Sequence, residues 1–149
     1  MKLRVYFDTS VFCAYYDERV TDRQMETEEL WKRLQDFDAA TSELAREELE
    51  QTADPDRRAG FQMLLKGFDI HPLTREMKEL AADYISAGVF TPAIFNDALH
   101  VAAAVMTRQD ILLSWNFKHL VNRRRRAEIN DLNAAMGLPA IEIMAPPEI

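Results

Sequence analysis

Three carboxylates and one amide, those of Asp8, Glu48, Asp97 and Asn116, each follow or interrupt an apolar segment. Carboxylates gathered at one point raise one another's pKa unless a cation compensates their charge. Oxygen ligands suit Mg²⁺ or Mn²⁺ rather than zinc, and Mg²⁺ takes only one or two carboxylates directly. We therefore expect a divalent metal, which would polarise a phosphodiester and lower the pKa of the attacking water.

Two of these side chains are predicted at strand ends. Asp8 follows an alternating apolar stretch at residues 3–7, and Asn116 follows the continuous apolar run at 111–115. Open α/β folds place their chemistry at the carboxyl edge of the sheet. A plain turn-capping role for Asp8 explains its position equally well at this point.

The other two acids are predicted on helix faces. Glu48 lies on the apolar side of the helix that follows Ser42, whereas Glu47 lies on the polar side. Asp97 heads an apolar, small-residue stripe that suits burial against a sheet. Compensation of the helix dipole is an alternative explanation for Asp97, and ordinary helix propensity is one for Glu48.

Strands and helices alternate along the whole chain. Strands are predicted at 3–7, 37–42, 68–74, 111–115 and 141–144, and helices begin near 21, 43, 55, 75 and 123. A further helix spans the segment around Asp97, with either Thr91 or Asn96 as its cap. This alternation predicts one α/β domain over residues 1–149, a three-layer α/β/α sandwich with a central parallel sheet.

Composition restricts the class of protein. The 149 residues are 48% hydrophobic and 29% charged, with 4 glycines, as in ordinary globular proteins. The single cysteine, Cys13, favours a reducing compartment and is expected in the core. No segment predicts a membrane span or a secretory leader, so a cytoplasmic location without membrane contact is expected.

The net charge of −7 argues against general binding of polyanions. Lys118 and the run from Arg123 to Arg126 nevertheless form one dense basic stretch. We expect phosphate contacts from Lys118, Arg123 and Arg124, although a solvated helix start is the alternative for each arginine in the run.

The order of four motifs carries a resemblance that covers nearly the entire chain. VYFDTSVF, TSELAREELE, NDALHVAAA and DILLSWNFKHLVN follow one another, and the last two are the most specific. In this order the chain resembles PIN-domain proteins, close to the VapC-type toxins of bacterial toxin–antitoxin pairs. The resemblance implies a divalent-metal-dependent endoribonuclease that hydrolyses RNA with metal-activated water. It also implies a cognate antitoxin protein and a homodimer.

The resemblance assigns a role to each acid. It places Asp8, Glu48 and Asp97 as metal ligands and puts Asn116 where the family more commonly has a fourth acid. An amide oxygen can still accept from a metal-bound water but adds no negative charge, so weaker binding of a second metal is expected. Thr9 and Ser10 are implied to orient metal-bound water, with a plain turn role as the alternative.

Other residues receive no catalytic role. His71, His100 and His119 lack metal-ligand spacing and are expected to be packing or surface residues. Two other functions fit the sequence: a catalytically weak PIN fold that binds RNA or protein, which Asn116 and the acidic charge favour, and a DNA nuclease of flap or repair type.

Overall fold

The computed structural model describes residues 1–149, and its five strands form one parallel sheet in the order β3-β2-β1-β4-β5. The strands are β1 Leu3–Phe7, β2 Phe37–Ser42, β3 Asp69–His71, β4 Ile111–Leu113 and β5 Glu142–Met144. The helices are α1 Thr9–Tyr15, α2 Thr21–Lys32, α3 Glu43–Glu50, α4 Pro55–Leu65, α5 Arg75–Ser86, α6 Phe95–Met106 and α7 Arg123–Ala135. Short 3₁₀ helices lie at Leu34–Asp36, Pro92–Ile94 and Pro146–Glu148. This arrangement confirms the predicted α/β/α class.

Strand β1 lies at the centre of the sheet, and the later strands are added first on one side of it and then on the other. Strands β2 and β3 lie on one side and β4 and β5 on the other, with Val5 in register with both Ala39 and Ile111. The strand order therefore reverses between β1 and β4. Ligands of open parallel sheets bind at such a switch point, beyond the carboxyl ends of the strands. Asp8 is the first residue beyond β1 at this place.

Helix α6 forms the most buried layer of the fold. Its residues 98–105 are all buried, and four of them are alanines at 98, 102, 103 and 104, whose small side chains permit close packing on the sheet. On the opposite face the rings of Phe7, Phe12, Trp31 and Phe68 pack edge to face. Such aromatic contacts add to the stabilisation from apolar burial. The carboxyl edge of the sheet is thus supported by well-packed layers on both faces.

Several predicted boundaries differ from the structure. Strand β4 ends at Leu113 rather than at 115, because the backbone N–H of Trp115 donates to the Ser10 side chain instead of to a neighbouring strand. Neither Thr91 nor Asn96 caps α6; a 3₁₀ helix precedes it and Ile94 is its N-cap. No helix of the structure combines the length and the apolar character needed to cross a bilayer.

Candidate active site

Asp8 lies at the end of the central strand and is almost completely buried, with 4% of its surface exposed. It is the N-cap residue of α1, but its carboxylate makes no capping hydrogen bond to that helix. Instead Asp8 Oδ1 accepts a hydrogen bond of 2.5 Å from the Ser10 hydroxyl. Burial raises the pKa of Asp8, against the opposing effects of His100, Ser10 and Ser114. Asp8 thus stands at the N-cap without a side-chain capping bond, and its role in a functional site remains a prediction.

Glu48 projects from α3 toward the same edge of the sheet. It is partly buried whereas Glu47 is exposed, which confirms the predicted assignment of faces. Glu48 Oε1 accepts a 2.7 Å hydrogen bond from the Thr9 hydroxyl and lies 2.7 Å from His100 Nε2. Burial opposes ionisation of Glu48, but His100 and Thr9 outweigh it and lower the pKa of the carboxyl. Glu48 is thus held as a carboxylate, and it is hydrogen-bonded to Thr9, the residue that follows Asp8.

His100 connects this carboxylate to the core. The imidazole is 3% exposed, and its Nδ1 lies 2.8 Å from the hydroxyl of Tyr6, which in turn lies 2.7 Å from Ser42 Oγ. Burial raises the pKa of Tyr6, so its hydroxyl stays protonated. With a neutral imidazole, Ser42 donates to Tyr6, Tyr6 donates to Nδ1, and Nε2–H donates to the Glu48 carboxylate. We call Tyr6, Ser42, Glu48 and His100 the histidine relay.

Asp97 begins the same helix that carries His100, three residues earlier, so the two side chains are neighbours on the α6 surface. Asp97 Oδ2 lies 2.9 Å from Nδ1 of His119, which follows β4. Both groups are about one-quarter exposed, at 23% and 27%. Each of the two predicted helix-face acids therefore has an imidazole as its nearest polar partner.

The prediction that the histidines are packing or surface residues did not include these contacts. His100 is a buried packing residue, as expected, but it also contacts Glu48, and His119 contacts Asp97. The signal for His100 was present in the sequence, because it interrupts the same apolar helix face that made Asp97 conspicuous. No comparable pattern marks His119, since its partner lies 22 residues away.

Asn116 lies in the loop after β4. Its Oδ1 accepts a hydrogen bond of 2.9 Å from the backbone N–H of His119, and its own N–H donates to Ser114 Oγ at 2.9 Å. The amide oxygen thus shapes the loop that presents His119 to Asp97. Its predicted role as an auxiliary donor to a metal remains a prediction.

No three or more His, Cys, Asp or Glu side chains are arranged in this structure to hold a metal ion. A smaller carboxylate set still matches Mg²⁺, because this ion takes one or two carboxylates and completes its shell with water. Thr9, which follows Asp8 in the sequence, donates to Glu48, so the two acids lie on neighbouring positions from which such a pair could be drawn. Asp8 is buried with no cationic side chain bonded to it, an environment that a cation would relieve. The donor chemistry therefore fits a hard divalent ion.

Part of the predicted basic stretch lies beside Asp97. Lys118, Arg124 and Arg125 line an open cavity of about 410 Å³, whereas Arg123 does not. Arg125 stacks on Phe90 with its guanidinium carbon 4.4 Å from the ring centroid, and its Nη1 is buried without a hydrogen-bond partner. Desolvation lowers the pKa of Arg125. Three cations and one carboxylate thus line this cavity, since Glu128 also lines it and pairs with Arg124 at 2.8 Å. Arg125 was not among the residues predicted to bind phosphate.

Cys13 is exposed, so its predicted place in the core is wrong. It lies on the outer side of α1, whose buried residues are Val11, Phe12 and Ala14.

No protein-family model and no curated protein matches the sequence, but solved structures match the fold. FitAcB from Neisseria gonorrhoeae is 11% identical with a TM-score of 0.63, over 97% of this chain and 99% of that chain. VapC20 from Mycobacterium tuberculosis is 14% identical with a TM-score of 0.61, over 92% and 98%. This chain has the PIN fold of the VapC-type toxins.

A third match is a toxin–antitoxin complex from Klebsiella pneumoniae, 18% identical with a TM-score of 0.57 over 77% of this chain and 88% of that chain. VapC20 is described as a toxin that cleaves the sarcin–ricin loop. At these identities the likeness concerns the PIN fold, and it agrees with the fold inferred from the order of the sequence motifs.

Proposed function

We propose that this PIN-fold chain is a divalent-metal-dependent endoribonuclease and the toxin of a toxin–antitoxin pair. The observation that carries the proposal is the Asp8 carboxylate, buried at the switch point of the sheet without a cationic partner. A fold gains nothing in stability from such a group. Its retention is explained by a cation that it binds in the working protein.

Asp8, Glu48 and Asp97 are the residues that would hold Mg²⁺ or Mn²⁺, with Asn116 as an auxiliary donor. When bound, the ion would supply Lewis-acid stabilisation of the phosphate and a nucleophilic water. The chain's own residues prepare this place: Ser10 fixes the Asp8 carboxylate, and Thr9 and His100 fix that of Glu48. Asn116 holds the backbone N–H of His119, and Asp97 contacts the His119 imidazole.

The proposed substrate is RNA. Despite the net charge of −7, Lys118, Arg124 and Arg125 surround a cavity beside Asp97, and such local cations can bind the phosphates that flank the cleaved bond. Arg125 lines this cavity, and guanidinium N–H groups are strong donors to phosphate oxygens. The exposed Arg123 would contribute only to the positive electrostatic potential that attracts RNA.

An antitoxin partner and a homodimer are part of the same proposal. Two of the solved structures that share the PIN fold are described as VapBC assemblies bound to DNA, and another as a toxin–antitoxin complex. A cognate antitoxin should bind this chain with nanomolar affinity and suppress its cleavage, which isothermal titration calorimetry and a cleavage assay measure together.

The first experiment compares cleavage of a mixed RNA pool in Mg²⁺, in Mn²⁺ and in chelator. Glu48→Gln and Asp97→Asn should each lower the rate by a hundredfold or more, because each removes a charge from the site. Glu47→Gln is the matched control, since Glu47 is exposed on the adjacent position of the same helix. A cleavage rate that is unchanged by chelator, or unchanged by both site substitutions, refutes the proposal. Structured DNA tested beside RNA decides between the two nucleic acids.

A further inference from the structure

A second cavity is separate from the basic one and shares none of its lining residues. It measures about 280 Å³ and is lined by Ser10, Cys13, Asp17, Arg23, Trp115 and Asn116, among others. Ser10 is the residue that bonds Asp8, so the cavity begins directly beside the proposed catalytic carboxylate. Any group bound there is a neighbour of the phosphate that is cleaved.

Aromatic and cationic side chains form the wall of this cavity. The Arg23 guanidinium lies 5.4 Å from the ring centroid of Trp115 and 5.3 Å from that of Phe117. Phe117 does not line the cavity itself, but its ring adjoins the two lining side chains, with its centroid 5.3 Å from the Arg23 guanidinium carbon and 6.2 Å from the Trp115 centroid. It is 45% exposed, which is unusual for so large an apolar ring. The guanidinium of Arg23 forms no hydrogen bond or ion pair, although five N–H donors are present on it. Both a stacking surface and free donors are therefore available to a ligand.

The position of Trp115 is fixed from two directions. Its indole Nε1–H donates to the buried Thr27 hydroxyl at 3.0 Å, and its backbone N–H donates to Ser10 Oγ at 2.9 Å. Thr27 in turn donates to the carbonyl of Arg23 at 2.6 Å. The wall of the cavity and the Asp8 carboxylate thus share one hydrogen-bond network, which makes their relative position rigid.

We propose that this cavity and the adjoining Phe117 ring bind one nucleobase of a single-stranded RNA substrate, stacked against Phe117 and the Arg23 guanidinium. The proposal rests on the ribonuclease function proposed above. Unpaired bases are recognised by stacking on aromatic rings and on arginine planes, with hydrogen bonds to their edges. The Trp115 ring and the planar Arg23 guanidinium in the lining favour a base as the ligand of this cavity.

The two cavities then divide the substrate between them. The basic one, with Lys118, Arg124 and Arg125, receives phosphates, and the aromatic one receives a base. Phe117 and Lys118 are consecutive residues of the loop after β4, so one loop contacts both parts of the strand.

The test measures binding of short fluorescein-labelled RNA by anisotropy, in the Asp97→Asn background to prevent cleavage. An eight-nucleotide RNA is compared with an abasic ribose-phosphate chain of the same length. Stacking of one base is worth a factor of about five to a hundred in affinity. Phe117→Ala should lower the affinity for RNA by at least about fivefold and leave the affinity for the abasic chain unchanged.

Two further variants sharpen the result. Arg23→Lys keeps the charge but removes the planar guanidinium, and should also weaken binding of the RNA more than that of the abasic chain. Met25→Ala is the matched control. Like Phe117, Met25 is an exposed apolar residue; it lies on α2 with Arg23 but does not line the cavity. Thermal unfolding of each variant verifies that the fold is intact.

Equal loss of affinity for both chains, or no loss in Phe117→Ala, overturns the base site. Cleavage by the native chain, assayed in parallel, separates this outcome from failure of the ribonuclease proposal. Cleavage without base-dependent binding leaves the ribonuclease and removes the base site. Base-dependent binding without cleavage keeps the base site and makes the chain an RNA-binding module.

Discussion

The histidine relay predicts a specific cost for His100→Ala. The substitution removes a hydrogen bond between the imidazole and the ionised Glu48 at 2.7 Å, and a neutral one with Tyr6 at 2.8 Å. A bond to a charged group contributes about 1.5–3 kcal/mol and a neutral one about 0.5–1.5 kcal/mol. Tyr6 keeps Ser42 as a partner and Glu48 keeps Thr9, so neither is left without a hydrogen bond. The free energy of unfolding should therefore fall by about 2–4.5 kcal/mol, before any loss from the vacated space.

Urea denaturation in chelator measures this cost, with the slope of the transition checked for two-state behaviour. For a chain of this size, each kcal/mol lowers Tm by about 2–4 °C. His71→Ala is the matched control, because His71 is partly buried but its side chain forms no hydrogen bond. A cost for His100→Ala no larger than that of His71→Ala would refute the relay.

A double-mutant cycle that combines His100→Ala with Tyr6→Phe measures how much of this cost comes from the hydrogen bond between the two residues. The two residues contact one another, so the cycle should give a coupling energy of about 0.5–1.5 kcal/mol, the size of the neutral bond. A coupling energy near zero would mean that the Tyr6 hydroxyl serves Ser42 alone.

Three other predictions concern charge and backbone. Asp8→Asn should stabilise the metal-free chain at neutral pH. Because the folded pKa of Asp8 is raised above 3.8, the native chain loses stability as pH rises from about 4 through that folded pKa, by about 1.4 kcal/mol for each pH unit in this interval. The variant has no carboxyl group at this position and does not lose this stability. Melting curves in chelator from pH 4 to 8 measure this; an advantage that does not grow with pH would contradict it. Lys118→Ala should reduce the dependence of RNA affinity on salt by about 0.7 in log–log slope, while Lys66→Ala, at the other end of the sheet, should not. Gly137→Ala should cost about 1 kcal/mol, since Gly137 has a φ of 72°, and Gly137→Asn should cost less in the same denaturation assay.

The position of Asp8 could be predicted because strand patterning and sheet topology act together. An apolar alternating stretch predicts β1, and a parallel sheet requires that the residue after it lie at the carboxyl edge. The face of Glu48 followed from helical periodicity in the same way. Both inferences depend only on residues within one element, where sequence spacing determines direction.

The partners of these acids could not be predicted by that route. His100 contacts Glu48 from a helix 52 residues further along the chain, and His119 contacts Asp97 across a loop. Periodicity places a side chain on a face but does not specify which element faces it. The same limit explains Cys13, because a short helix of seven residues offers too few turns for its buried side to be read.

The two histidines change the electrostatic problem that the acids present. Three carboxylates at one sheet edge would need a cation to coexist, but Glu48 and Asp97 each have an imidazole in contact. Only Asp8 is buried without a partner of its own that can carry positive charge. Under the proposed function, a divalent ion would compensate the charge of Asp8 first, while the imidazoles hold the other two carboxylates in place. Asp8 should thus contribute most to metal affinity, while Glu48 and Asp97 contribute chiefly through how their histidines position them.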